Sequence, residues 1–234
     1  MILNVGAGKA RDKVPPLFSV TGGTYSYAQS VAADGKVNWE IALLSGSNAT
    51  LNFQRVVDAV DVFLVGGGKS AGTGNGANGG QRLTATGVSV SSGTNYAFTV
   101  GGSNGSTSIF GRTANSGSGS SGGIGGTNAS GGATRGGDGA YAFGASSSLI
   151  FSGRKYGPGG GGGGVNRRVG GYFAGAAGGE TGGGSGSSQT SAAGGNGTAN
   201  TGAGGGGGFY DEYTYTASAG GAGGSGIIII RNAR

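Results

Sequence analysis

The chain has 234 residues, of which 63 are glycine and three proline, with no cysteine and no histidine. Without His or Cys it has no Ser-His-Asp or Cys-His nucleophile pair, no Cys/His zinc site, no haem or iron–sulfur cluster held by those residues, and no disulfide. Fifteen basic against nine acidic residues give a net charge of +6, but Lys9, Arg11, Lys13, Lys36, Arg55, Lys69, Arg82, Arg112 and Arg135 are scattered, which argues against a nucleic-acid face.

Residues 1–16 read as an N-terminal arm that Pro15 and Pro16 stiffen where it meets the first strand. Its apolar residues Ile2, Leu3, Val5 and Val14 are candidates for attachment to a neighbour. No segment reads as a secretion signal or as a membrane-spanning helix. Residues 17–65 read as a small antiparallel β domain. Phe18 and Val20, then Tyr25 and Tyr27, predict a hairpin around Gly22 and Gly23. Val37, Trp39, Ile41 and Leu43 alternate with residues of the other face, the period-2 mark of a half-buried strand. Ser45, Gly46, Ser47 and Asn48 read as a turn, with Leu51 and Phe53 on the returning strand. Val60 to Val65 form an apolar run that predicts a buried strand, with Asp58 and Asp61 at the turn into it.

Composition changes at Val65/Gly66. Six glycines fall in residues 1–65 and 57 in the 169 that follow. Residues 66–234 alternate glycine tracts with short apolar pieces at 83–90, 96–100, 108–110, 141–143, 149–151, 172–173, 209–215 and 227–230. The spacing is irregular, which argues against a solenoid. Three prolines are far short of the roughly 15–20% that collagen needs. Recurring aromatics and a strongly β final segment argue against a flexible linker. Extended glycine can adopt the left-handed threefold polyproline II helix, whose backbone groups point sideways and must find partners. Such helices can pack side by side because no Cβ intervenes. The expected fold is therefore all-β: a small N-terminal antiparallel β domain, then packed polyglycine II helices, closed by a C-terminal strand. The tracts 159–164 and 204–208 are the expected central helices.

Glycine motifs arise by accident in such a chain. Residues 63–70 end in Gly-Lys-Ser like a phosphate-binding loop, but Phe63 stands where the first glycine belongs and no helix follows. Residues 74–79 fit G-x-G-x-x-G outside any βαβ unit. Residues 101–105 fit G-x-S-x-G, with no histidine to activate Ser103. Asp211 and Glu212 are adjacent and would face opposite ways on a strand, which suits no paired-carboxylate chemistry. Residues 136–139, around Asp138, match only part of a calcium repeat. Neither catalysis nor a cofactor nor a metal is expected. Aromatics suggest recognition instead: Tyr156, Tyr172, Phe173, Phe209, Tyr210, Tyr213 and Tyr215 lie in or beside glycine tracts, and exposed tyrosine among small polar residues suits a binding surface. The contact candidates are Tyr156, Arg167, Arg168, Tyr172, Phe173, Phe209, Tyr210 and Tyr213. The arginines suit anionic groups, and Tyr172 or Tyr210 suits stacking on sugar rings.

The order of segments is itself informative. Residues 38–46 (NWEIALLSG) come first, followed by 61–68 (DVFLVGGG), 96–102 (YAFTVGG) and 107–111 (TSIFG). Long glycine tracts follow, and 220–231 (GGAGGSGIIIIR) closes the series. It resembles the glycine-rich tail proteins of bacteriophages and of prophages in gut bacteria, over roughly residues 36–231. The DVFLVGGG and Gly-Ser-Gly-aliphatic-Arg segments are the most specific. The resemblance implies a non-enzymatic virion tail fibre or tail-tip protein that binds a host receptor, with other virion tail proteins and a host surface glycan or protein as partners. It implies a location in the virion and a homotrimer, with no nucleic acid and no membrane insertion. A purely structural virion component without receptor contact is the alternative. An ice-binding or matrix protein would want a regular flat face that the irregular spacing does not provide.

Overall fold

The computed structural model describes residues 14–55, 59–118, 136, 138–144, 148–168, 171–180 and 182–233. The fold is all-β. Its long strands are β1 (Phe18–Val31), β2 (Val37–Phe53), β3 (Ala59–Val65) and β4 (Arg82–Ser89). Short strands follow: β5 (Asn95–Phe98), β6 (Thr107–Ile109), β7 (Arg112–Ala114), β8 (Ala140–Tyr141), β9 (Lys155–Tyr156), β10 (Val165–Arg167), β11 (Gly171–Phe173), β12 (Tyr210–Asp211) and β13 (Thr216–Ala217). The chain closes with β14 (Ile227–Asn232). Ile2, Leu3 and Val5 of the arm lie outside the described residues, and Val14 is exposed.

A six-stranded sheet runs in the order β1-β2-β14-β3-β4, with β5 on the edge of β2 beyond β14. The four consecutive isoleucines of β14 are explained by this position. Ile228 and Ile230 pack with Trp39, Ile41, Leu43 and Leu64 on one face. Ile227 and Ile229 pack with Ala42, Phe63, Val65 and Tyr156 on the other. A strand covered on both faces reads as a continuous apolar run. The sheet thus draws strands from both sides of the Val65/Gly66 composition change, and the last strand of the chain lies between β2 and β3, paired with each.

The two hairpins expected within residues 18–53 are one. β1 and β2 pair from Phe18↔Phe53 to Val31↔Val37, and the chain reverses at Asp34-Gly35, where Gly35 has φ 78°. Gly22-Gly23 and residues 45–48 are facing irregularities within this long pair. Gly22 sits at φ 76° and Asn48 at φ 52°, and the register shifts between Thr21 and Gly23. Gly23 and Gly46 are needed there because the Phe98 ring lies against them: a Cβ on Gly23 would sit 2.9 Å from its Cζ, and one on Gly46 2.6 Å from its Cε2. A bulge bends a strand with the same residue types that turn it.

Asp61 is likewise not at a turn. It stands within β3, 2% exposed, and its register partner is Arg231, whose Nε is 3.3 Å from Oδ2. Asp58 lies outside the described residues. Arg231 also pairs in register with Glu40 of β2, and its guanidinium lies 3.8 Å from the centre of the Phe143 ring. Glu40, 1% exposed, accepts hydrogen bonds from the Ser148 hydroxyl and from the Leu149 and Ile150 amides. These charged groups hold Phe143 and residues 148–150 over the second face of the sheet.

Glycine tracts continue from the sheet. In the tract 204–208 every N–H and every C=O is bonded, at 2.7–3.0 Å. Gly204 and Gly207 donate to Pro158 and Gly161, Gly205 and Gly208 to Lys69 and Gly72, and Gly206 to Gly195. Carbonyls of Gly202, Gly205 and Gly208 accept from Gly80, Ala77 and Gly74. Those of Ala203 and Gly206 accept from Gly224 and Gly221, and those of Gly204 and Gly207 from Gly184 and Ser187. Partners therefore recur every third residue, and six tracts surround the central one. The tract from Gly66 follows the same period: Gly66 and Lys69 donate to Gln81 and Asn78, and Gly68 and Ala71 to Gly224 and Gly221. A Cβ on Gly204, Gly205, Gly206 or Gly208 would fall 1.9–2.0 Å from a backbone oxygen of a neighbouring tract. The layer thus replaces an apolar core by backbone hydrogen bonds and close Cα–H···O approaches.

Candidate functional site at the far end of the glycine layer

Donor order fixes direction. Gly205 and Gly208 donate to Lys69 and Gly72 in the same sequence sense, so the tract 204–208 runs parallel to the one leaving β3 and travels away from the large sheet. The tract 158–164 runs the same way, since Gly204 and Gly207 donate to Pro158 and Gly161. Both then enter a second sheet, ordered β11-β10-β12-β13, that closes the distal end of the layer. β10 and β12 are parallel neighbours. Each forms a hairpin with its next strand, so two hairpins stand side by side at the end of the layer away from the large sheet.

The pairing sorts the candidate residues by face. Val165 is opposite Phe173 and Tyr210, and Arg167 opposite Gly171, so Arg167, Phe173 and Tyr210 share one face. Asn166 is opposite Tyr172 and Asp211, which share the other. Tyr172 is 57% exposed. Its ring lies 5.8 Å from Phe209 and its hydroxyl donates to the Ser188 carbonyl at 2.6 Å. Phe173 is 40% exposed beneath the guanidinium of Arg167, 6.0 Å from its ring centre.

Arg168 joins the two tips. Its amide donates to the Glu212 carboxylate at 3.1 Å, its Nε donates to the Glu212 carbonyl at 3.0 Å, and its guanidinium lies 4.9 Å over the Tyr215 ring. Asp211 shapes the second tip. Its Oδ1 accepts the amides of Tyr213 and Thr214, and its Oδ2 accepts from Asn166. The amide of Tyr213, more than any other group, holds the Asp211 carboxyl below its ordinary range. Glu212 follows it in the turn after β12 and accepts the Arg168 amide, so the two acids tie the neighbouring hairpins together.

Six of the eight contact candidates, Arg167, Arg168, Tyr172, Phe173, Tyr210 and Tyr213, come together on this small sheet. The other two are buried. Tyr156 is fully buried in the second core cluster of the large sheet, against Phe63 at 5.3 Å, because β9 lies over that face. Phe209 is 4% exposed and fills the space under Tyr172 where the glycine layer meets the sheet. Tyr215, 68% exposed, is the most open ring at the tips and stood outside the candidate set. The alternation Tyr213-Thr214-Tyr215-Thr216 after Asp211 was the available signal: an Asx-type turn followed by small polar residues places the intervening rings in solvent. No protein-family model matches the chain, and no curated protein matches it either.

Proposed function

We propose that the chain is a non-enzymatic phage tail fibre or tail-tip protein that uses its small distal sheet to contact the host surface. One observation carries this reading: four large aromatic side chains, Tyr172, Phe173, Tyr213 and Tyr215, and two arginines stand exposed on the small sheet and its turns at the far end of the glycine layer. Stranding so much apolar surface in water is unfavourable unless a partner covers it. The resemblance of residues 36–231 to phage tail proteins supports the same reading. So does the threefold bonding period of the tracts, which is what packed polyglycine II helices require and which would make the layer a stiff spacer. On the large sheet Val14, Leu17, Tyr25, Tyr27 and Val31 are exposed on or beside the edge strand β1. They offer a surface for other virion tail proteins or for the neighbours in a homotrimer.

The test is binding of the purified protein to a panel of intact gut bacteria, beside a variant with Tyr172→Ala, Phe173→Ala, Tyr210→Ala and Tyr213→Ala. Host contact through the small sheet predicts binding by the parent protein and none by the folded variant. Absence of binding to every strain would instead favour a purely structural virion component.

A further inference from the structure

We propose that the two hairpin tips bind an anionic polysaccharide, with Arg167 and Arg168 holding its carboxylate or phosphate groups and the tip hydroxyls receiving its sugar hydroxyls. The inference deepens the host-contact reading and rests on it. Among the described residues no carboxylate lies within ion-pair distance of either guanidinium. Asp211 is held by the Tyr213 and Thr214 amides, and Glu212 by the Arg168 amide, so the acids of the tips are already engaged. The positive charge of the two arginines is therefore left for an outside partner.

Both guanidinium groups are also oriented in advance. Each lies over a ring, Phe173 or Tyr215, and Arg168 is further fixed through its Nε. A stacked guanidinium keeps its face covered and presents its N–H edge, which matches the paired oxygens of carboxylate or phosphate. Four successive hydroxyl-bearing residues, Tyr213, Thr214, Tyr215 and Thr216, line the second tip, with the two threonine hydroxyls 2.7 Å apart. Such a surface exchanges hydrogen bonds with a polyol. Arg167 stacks on the first hairpin, whereas Arg168 reaches across to the second, so the cations flank the junction of the tips. That arrangement suits a chain with spaced negative charges draped across both. Two cations are too few for a nucleic acid, whose backbone charge is dense and calls for an extended basic footprint.

The experiment measures affinity of the full chain for carboxymethyl-dextran and for unmodified dextran of the same length, at a physiological salt concentration of about 0.15 M. The charged polymer is expected to bind at least tenfold more tightly. Arg167→Gln should weaken it about tenfold, the loss of one charge-assisted contact. Arg167→Lys should restore part of the affinity, because lysine keeps the charge but lacks the planar fork. Arg112→Gln, which removes an equally exposed charge on β7, should change nothing and controls for net charge. Equal affinity for the two dextrans would overturn the proposal, as would equal effects of the two glutamine variants or stronger competition by oligothymidylate. Binding to intact bacteria is measured in parallel. Bacterial binding that survives Arg167→Gln and resists carboxymethyl-dextran overturns the polysaccharide site while host contact stands. Selective, Arg167-dependent polymer binding without bacterial binding supports the site and removes the host-contact reading.

Discussion

Gly206→Ala tests the glycine layer at its centre. The added Cβ would sit 2.0 Å from the Ser185 oxygen, whereas ordinary contact begins near 3.4 Å, so the tract 183–187 must retreat by about 1.4 Å. Two bonds tie that tract to the central one, Gly184 N–H to Gly204 O at 3.0 Å and Ser187 N–H to Gly207 O at 2.9 Å, and neither survives such a shift. Each leaves dry backbone groups unpaired at about 1–3 kcal/mol. Alanine returns about 0.4–1 kcal/mol by restricting the unfolded chain. The expected loss is about 3 kcal/mol, a fall in Tm of roughly 6–12 °C for a chain of this size. Gly72→Ala is the matched control: no heavy atom lies within 4 Å of its Cβ position and its φ is not left-handed, so it should gain about 0.4–1 kcal/mol. Thermal unfolding followed by fluorescence of Trp39, 5% exposed in the core, reads both variants. A Gly206→Ala protein melting within about 2 °C of its parent would refute a layer held by close backbone approach.

Tyr156 is fully buried and its hydroxyl has no partner among the described residues, so Tyr156→Phe should stabilise the protein by about 1 kcal/mol in chemical denaturation. Burial pushes its phenol well above the ordinary value of 10.0, which sets a pH window. The neutral form is favoured in the folded state, so this contribution is complete below pH 10 and is lost as the pH rises beyond it. Stability of the parent should then fall by up to about 1.4 kcal/mol per pH unit. The phenylalanine variant should show a shallower slope, and identical slopes would count against the assignment. Arg231→Leu leaves the Asp61 carboxylate buried without its register partner and should cost about 3–5 kcal/mol, whereas Arg231→Leu with Asp61→Asn should cost distinctly less. Equal losses in the single and double variants would show that the pair is not coupled.

Period-2 alternation, the apolar run at 60–65, the closing isoleucines and the absence of helical periodicity were sufficient for an all-β fold, because these patterns report burial directly. Glycine content likewise announced a layer without side-chain packing, since no other residue allows such close backbone approach. The exposure of Arg167, Arg168, Tyr172 and Tyr213 was legible because a glycine scaffold has little volume in which to bury them. What lay beyond the sequence was long-range. Gly22-Gly23 and Gly46 are equally good turn and bulge residues, and only the Phe98 ring and the partner strand decide between the two. Asp61 looked like a turn residue until Arg231, 170 positions away, supplied its charge partner. Tyr156 and Phe209 carry the same local signature as Tyr172 and Tyr213, yet the first closes a core and the second fills the seam under the distal sheet. Local pattern sets what a segment can become, whereas burial depends on which distant segment arrives to cover it.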